Sequence, residues 1–214
     1  MVKRIVFIRA AETDWNRFGR WQGWVASPIN EHGRRQAQKL ARFVRHLGLS
    51  TLYTSDLVRA AQTAEILAQA LEFAPVVDAR LRERGVGVWQ GMTVDEMRAW
   101  YPAEFQQLLD DPEHYRVEGA ESRADVRARM RAAFDDIVKH AEGDTVGVLS
   151  HTSAIKLLLD QILPNSDVLD LDFGNTSVTT LVQTDADWEV VVAQDVSHLE
   201  GMEAQAVPEV EEGA

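Results

Sequence analysis

Apolar residues in this chain alternate between short unbroken runs and stretches spaced for one helix face. Lys3–Ile8 is the first run and ends in Arg9-Ala10-Ala11-Glu12. A run of that kind suits a central parallel strand buried on both faces. A polar loop containing tryptophans follows from Thr13 to Pro28. Asn30 is then placed to cap a helix whose Ala37, Leu40, Ala41, Val44 and Leu47 repeat at i, i+3, i+4 and i+7, with Gly48 closing it. Thr51–Thr54 reads as a second strand, and Ser55-Asp56 is expected to open a helix with Ala60, Ala64, Leu67 and Leu71 on one face. Val76-Val77 is a candidate third strand.

The middle of the chain changes character. Thr93-Val94-Asp95-Glu96 has the form of a capping box, and Pro102 suits the first turn of a short helix. Residues 92–118 therefore read as small helices inserted between sheet elements, a candidate lid. A long helix rich in Arg and Ala is expected from Ser122 to Ala141. Val146–Leu149 is another buried strand, ending in Ser150-His151, and Thr152–Ile162 returns as a helix. Ser177–Val182 and Trp188–Ala193 pattern as a hairpin around Asp185-Ala186-Asp187. Alternating strands and helices predict an α/β fold, a three-layer α/β/α sandwich on a mostly parallel central sheet.

Composition narrows the function classes. The chain has 214 residues, 45% of them hydrophobic and 26% charged, as expected of a globular domain. No apolar run is long enough for a membrane span. The N-terminus lacks the long apolar segment of a signal peptide, so a cytoplasmic setting is expected. The absence of cysteine excludes disulfides, thiolate catalysis and Cys-ligated metals. A net charge of −12 argues against nucleic acid and anionic membranes as partners. The charge is uneven, however. Residues 1–60 carry 11 Lys/Arg against 4 Asp/Glu, which points to a small anionic ligand. The run from Glu200 holds five glutamates and no cation, so residues 200–214 are expected to be a disordered tail.

Ligands of open α/β sheets sit at the C-terminal strand ends. Arg9 follows the first strand, His151 follows the Val146–Leu149 strand, and Arg59 lies near the start of the helix after Thr51–Thr54. Two arginines and a histidine at one sheet edge suit a dianionic phosphate, because a guanidinium offers paired N–H donors. There is no GxxxxGK[ST] loop, GxSxG elbow or HExxH helix, and the six histidines are scattered, so no metal site is expected.

Ordered blocks then carry a resemblance over roughly residues 3–198. They are Ile8-Arg9-Ala10-Ala11-Glu12-Thr13-Asp14-Trp15-Asn16, Arg20-Trp21-Gln22-Gly23-Trp24, Ser27-Pro28-Ile29-Asn30 and Gly33-Arg34-Arg35-Gln36-Ala37. Ser55-Asp56-Leu57-Val58-Arg59-Ala60-Ala61-Gln62-Thr63-Ala64, Leu81-Arg82-Glu83, Gly87-Val88-Trp89-Gln90-Gly91, Ser150-His151 and Asn175-Thr176-Ser177 complete them. In this order the chain resembles the histidine phosphatase, or phosphoglycerate-mutase-like, superfamily. The resemblance implies one such domain over residues 1–199 and no metal or organic cofactor. It implies phosphate binding by Arg9, Arg59, His151, Asn16 and Gln22, and proton donation to the leaving group by Glu83.

The family's nucleophilic histidine falls at Ala10, and a methyl group has no lone pair with which to attack phosphorus. Ala11 stands where the family has glycine, and would disturb a backbone that needs positive φ or close approach. Ala26, Ala120 and Thr152 are further departures. The resemblance therefore implies a pseudophosphatase or an inactivated variant that still binds phosphate or a small phosphomonoester. Two alternatives stand beside it: a weak phosphatase using His151 or water, and a protein-interaction module using 92–118 or Trp15, Trp21 and Trp24. A homodimer is left open, as is mutase against phosphatase ancestry.

Overall fold

The computed structural model describes residues 2–163, 171–185 and 187–202. Six strands form one sheet in the order β3-β2-β4-β1-β5-β6. The four strands β1 (Arg4–Arg9), β2 (Thr51–Thr54), β3 (Val76–Val77) and β4 (Thr145–Ser150) are mutually parallel. β5 (Val178–Gln183) runs antiparallel beside β1, and β6 (Trp188–Asp195) antiparallel beside β5. This agrees with the predicted mostly parallel sheet and hairpin. Of the hairpin turn, Ala186 lies outside the described residues, as do residues 203–214 of the acidic tail.

Both sheet faces are covered, which is why the central strands are unbroken apolar runs. Ile5 and Phe7 of β1 join Val146 and Val148 of β4 under α6 (Arg123–His140) and α7 (Thr152–Ile162), through Met130, Phe134, Ile155 and Leu158. Val6 and Ile8 point the other way with Leu52 and Leu149. They meet α2 (Glu31–Val44) and α3 (Val58–Leu71) through Leu40, Val44, Ala64 and Leu67. The period-2 alternation of one strand thus serves both cores of a three-layer sandwich.

Capping chemistry fixes most helix starts. Asn30 Oδ1 accepts from Gly33 N–H at 2.7 Å, and Thr93 and Ser122 close complete capping boxes on α4 (Val94–Trp100) and α6. Pro102 opens α5 (Pro102–Asp110) as expected. α4 and α5 share a small core of Met97, Phe105 and Leu108 with Trp89 and Val117. Two expectations are corrected. The loop from Thr13 to Pro28 contains a short helix, α1 (Asp14–Arg17), closed by a capping box between Thr13 and Asn16. The second helix starts at Val58 rather than at Ser55-Asp56, because Ser55 Oγ accepts from Leu57 N–H and is held by His151.

Candidate functional site

A cavity of about 320 Å³ lies at the C-terminal edge of β1 and β4. Its lining includes all seven residues singled out from the sequence: Arg9, Ala10, Asn16, Gln22, Arg59, Glu83 and His151. Trp15 and Trp21 form part of its wall, while Trp24 is half-exposed and donates from Nε1 to the Glu83 carbonyl at 2.7 Å. Thr152 also lines the cavity; Ala26 and Ala120 do not.

The backbone at the floor is pinned from three sides. Ala10 N–H donates to Ser150 O at 3.0 Å, Asn175 Nδ2 donates to Ala10 O at 3.0 Å, and Ala11 N–H donates to Thr63 Oγ1 at 3.2 Å. Arg9 is tied to the Phe173 carbonyl through Nη1. Ala11 is not among the residues with positive φ. Its methyl is buried beside Ile29 and Ala37, so no positive-φ strain arises there.

Arg59 and His151 form the buried polar centre. Arg59 Nε donates to His151 Nδ1 at 3.2 Å and Nη2 donates to Gly23 O at 2.9 Å. Arg59 Nη1 is buried and has no hydrogen-bond partner, and Gln22 Oε1 is in the same state. Burial, with Arg9 nearby, lowers the Arg59 pKa to about 10 although Glu83 opposes the shift. The guanidinium remains charged at neutral pH, so the cavity holds an unsatisfied donor on a cation. Because Nε–H can only donate, His151 Nδ1 accepts and Nε2 carries the proton toward Ser55 Oγ, 3.0 Å away. Donation from His151 to a bound anion requires one of these hydrogen bonds to be exchanged.

Burial and the charges of Arg59, Arg9 and Arg129 push the His151 pKa well below 6.5. The unfolded chain then binds one more proton at this site below pH 6.5. The stability tied to neutral His151 is complete above that pH and falls by about 1.4 kcal/mol per unit below it, until the depressed folded value is reached. His198 is shifted in the same direction. Urea unfolding at pH 7.5 and 5.5 is expected to show a smaller pH slope in His151→Gln than in the parent. Equal slopes would mean that His151 titrates normally.

Glu83 lines the same cavity. Its carboxylate accepts from Arg84 N–H at 2.8 Å and from Ser153 and Ala154 N–H, both at 3.1 Å. It thereby caps α7, whose own cap residue, His151, supplies no side-chain bond. The sequence reading missed the residue that holds this segment in place. Arg129 of α6 donates to the carbonyls of Arg80, Arg82 and Glu83 at 2.7–2.9 Å, and forms a two-point pair with Glu121, each contact 2.7 Å. Only the arginine-rich pattern of the helix hinted at it.

Residues 5–196 match the histidine phosphatase superfamily, branch 1. A probable phosphoglycerate mutase GpmB of Erwinia tasmaniensis is 33% identical over 204 residues, covering 92% of this chain and 95% of that protein. The structure of Bacillus stearothermophilus YhfR is 34% identical with a TM-score of 0.82, covering 92% of this chain and 99% of that one. A mycobacterial glucosyl-3-phosphoglycerate phosphatase, solved with VO3, is 30% identical with a TM-score of 0.80, covering 90% and 99%. The chain belongs to the histidine phosphatase superfamily.

Proposed function

We propose that this chain binds a phosphomonoester at the cavity of Arg9, Arg59 and His151 and turns it over slowly or not at all. The observation that carries the reading is the buried, partnerless Nη1 of Arg59 beside a cavity lined at position 10 by a methyl group. The donors suit phosphoryl oxygens, since charge-assisted N–H bonds to phosphate are among the stronger polar contacts. Asn16 and Gln22 add polar groups to the lining. Glu83, in the same lining, takes the role of acid toward a leaving alkoxide. The structural relative solved with VO3 and the mutase relative support a phosphoester as the ligand class.

Attack is the missing step. Phosphoryl transfer through a phosphohistidine needs a nitrogen lone pair at position 10, and alanine has none. His151 is a poor substitute, since Nδ1 accepts from Arg59 and Nε2 carries the proton. Loss of the nucleophile leaves the binding donors in place.

Thermal unfolding tests the binding. Inorganic phosphate at roughly 100 times its Kd adds about 2.7 kcal/mol, a rise in Tm of about 5–10 °C for a domain of this size. Arg59→Met is expected to abolish the rise. An unchanged parent Tm at millimolar phosphate overturns the reading.

A further inference from the structure

Residues 173–177 hold the backbone on which the phosphate site is built. The Phe173 carbonyl accepts from Arg9 Nη1, and Asn175 Nδ2 donates to Ala10 O at 3.0 Å. Thr176 N–H donates to Arg9 O and Arg9 N–H donates to Ser177 O, each at 3.1 Å. Within this turn Thr176 is fully buried and has φ +62°, the left-handed region that a β-branched residue rarely enters. Turning over the peptide that joins Asn175 to Thr176 would return φ to negative values. It would also take the Thr176 N–H off Arg9 O and point a carbonyl there instead.

A link from outside the cavity opposes that flip. Thr176 Oγ1 donates to Asn175 O at 2.6 Å, so both ends of this one peptide plane are tied. An oxygen–oxygen separation that short contains the single hydrogen of the hydroxyl. The 3.1 Å contact between His198 Nε2 and Thr176 Oγ1 therefore has the imidazole as donor. His198 Nδ1 is buried without a hydrogen-bond partner, so among the described residues Thr176 is the ring's one polar tie. His198 does not line the cavity. It sits in a helical turn, Ser197–Leu199, held against α2. Its ring centroid lies 5.4 Å from that of Phe43, and Lys39 Nζ donates to Glu200 O at 2.7 Å.

We propose that His198 is a positioning residue of the phosphate site. By donating to Thr176 it holds the peptide between Asn175 and Thr176 in the orientation that ties down Arg9 O and sets the Asn175 side chain on Ala10 O. His198 touches no ligand and acts through Thr176 and Asn175. The inference rests on the phosphoester reading above and extends that site to a residue outside the pocket, anchored by α2.

Calorimetric titration of the full chain with inorganic phosphate tests this. His198→Phe keeps a ring against Phe43 and removes the donor. It is expected to raise the phosphate Kd about tenfold, the scale of one buried hydrogen bond. His198→Gln, whose side-chain amide also offers an N–H, is expected to stay within about twofold of the parent. Thr176→Val cuts the link from the other side and is expected to match His198→Phe. It carries the test alone if His198→Phe does not fold. The double variant is expected to bind no more weakly than either single one, because both break the same link. A parent-like Kd in Thr176→Val or in folded His198→Phe overturns this inference alone. So do additive losses in the double variant. His198→Gln as weak as His198→Phe also overturns it, since packing rather than donation would then be what His198 supplies. Failure of the parent to bind phosphate overturns the pocket reading, and this inference with it.

Discussion

Ala10→His is expected to raise turnover of an aryl phosphate by at least about 10³-fold over the parent chain. The surroundings of position 10 are already built. The backbone is held by Ser150 O and Asn175 Nδ2, and Arg9, Arg59, Glu83 and His151 line the same cavity. What the substitution adds is a lone pair on nitrogen. The reaction then splits into transfer of the phosphoryl group to the imidazole and its release to water. A protein-bound phosphoryl group that is labile in acid and stable in base should therefore appear in single-turnover experiments.

The second alanine separates two explanations of failure. Because the Ala11 methyl packs against Ile29 and Ala37 without positive φ, the single Ala10→His variant is expected to be as active as the double variant carrying Ala11→Gly. A requirement for the double change would mean that the floor must move closer to the ligand than it does here. Silence of both would mean that the pocket has diverged beyond its nucleophile. Activity in the parent comparable to the single variant would overturn the argument that position 10 carries the attack.

Several parts of this arrangement were legible in the sequence because they rest on local chemistry. Asn30, Thr93 and Ser122 each announce a helix by a side chain that reaches its own backbone. The β1 run announces burial on two faces, and Arg9, Arg59 and His151 announce a site because strand ends are where an α/β sheet places one. What was not legible depends on distant partners. Ser55-Asp56 has the composition of a helix start, yet Ser55 is bonded to His151, which is 96 residues away in sequence. The position of β4 between β2 and β1 follows from the tertiary fold and has no local signature. Trp15 and Trp21, for which a docking surface stands as an alternative in the sequence, form part of the cavity wall once the chain is folded.

Arg129 is the strongest case of a long-range role, and its removal is expected to cause the larger stability loss. Arg129→Met removes the side-chain donor of the Arg80 and Arg82 carbonyls and one donor each from the Glu83 carbonyl and the Glu121 carboxylate, which keep Trp24 Nε1 and Gly85 N–H. Both ends of that pair are about one-sixth exposed, at 17% and 16%. Breaking one partner of a buried pair costs about 3–5 kcal/mol, which corresponds to a Tm lowered by roughly 6–20 °C here. Arg131→Met is the internal control. Its pair with Asp135 lies on the same helix but is about half exposed, at 45% and 54%. Water and counterions already screen that pair, so its loss is expected to stay within about 0.5 kcal/mol. If the two variants unfold at the same temperature, Arg129 does not clamp the Arg80–Glu83 segment. If only Arg129→Met is destabilised, phosphate should bind it more weakly as well. The carbonyl it releases belongs to Glu83, whose carboxylate caps the helix that begins just after His151.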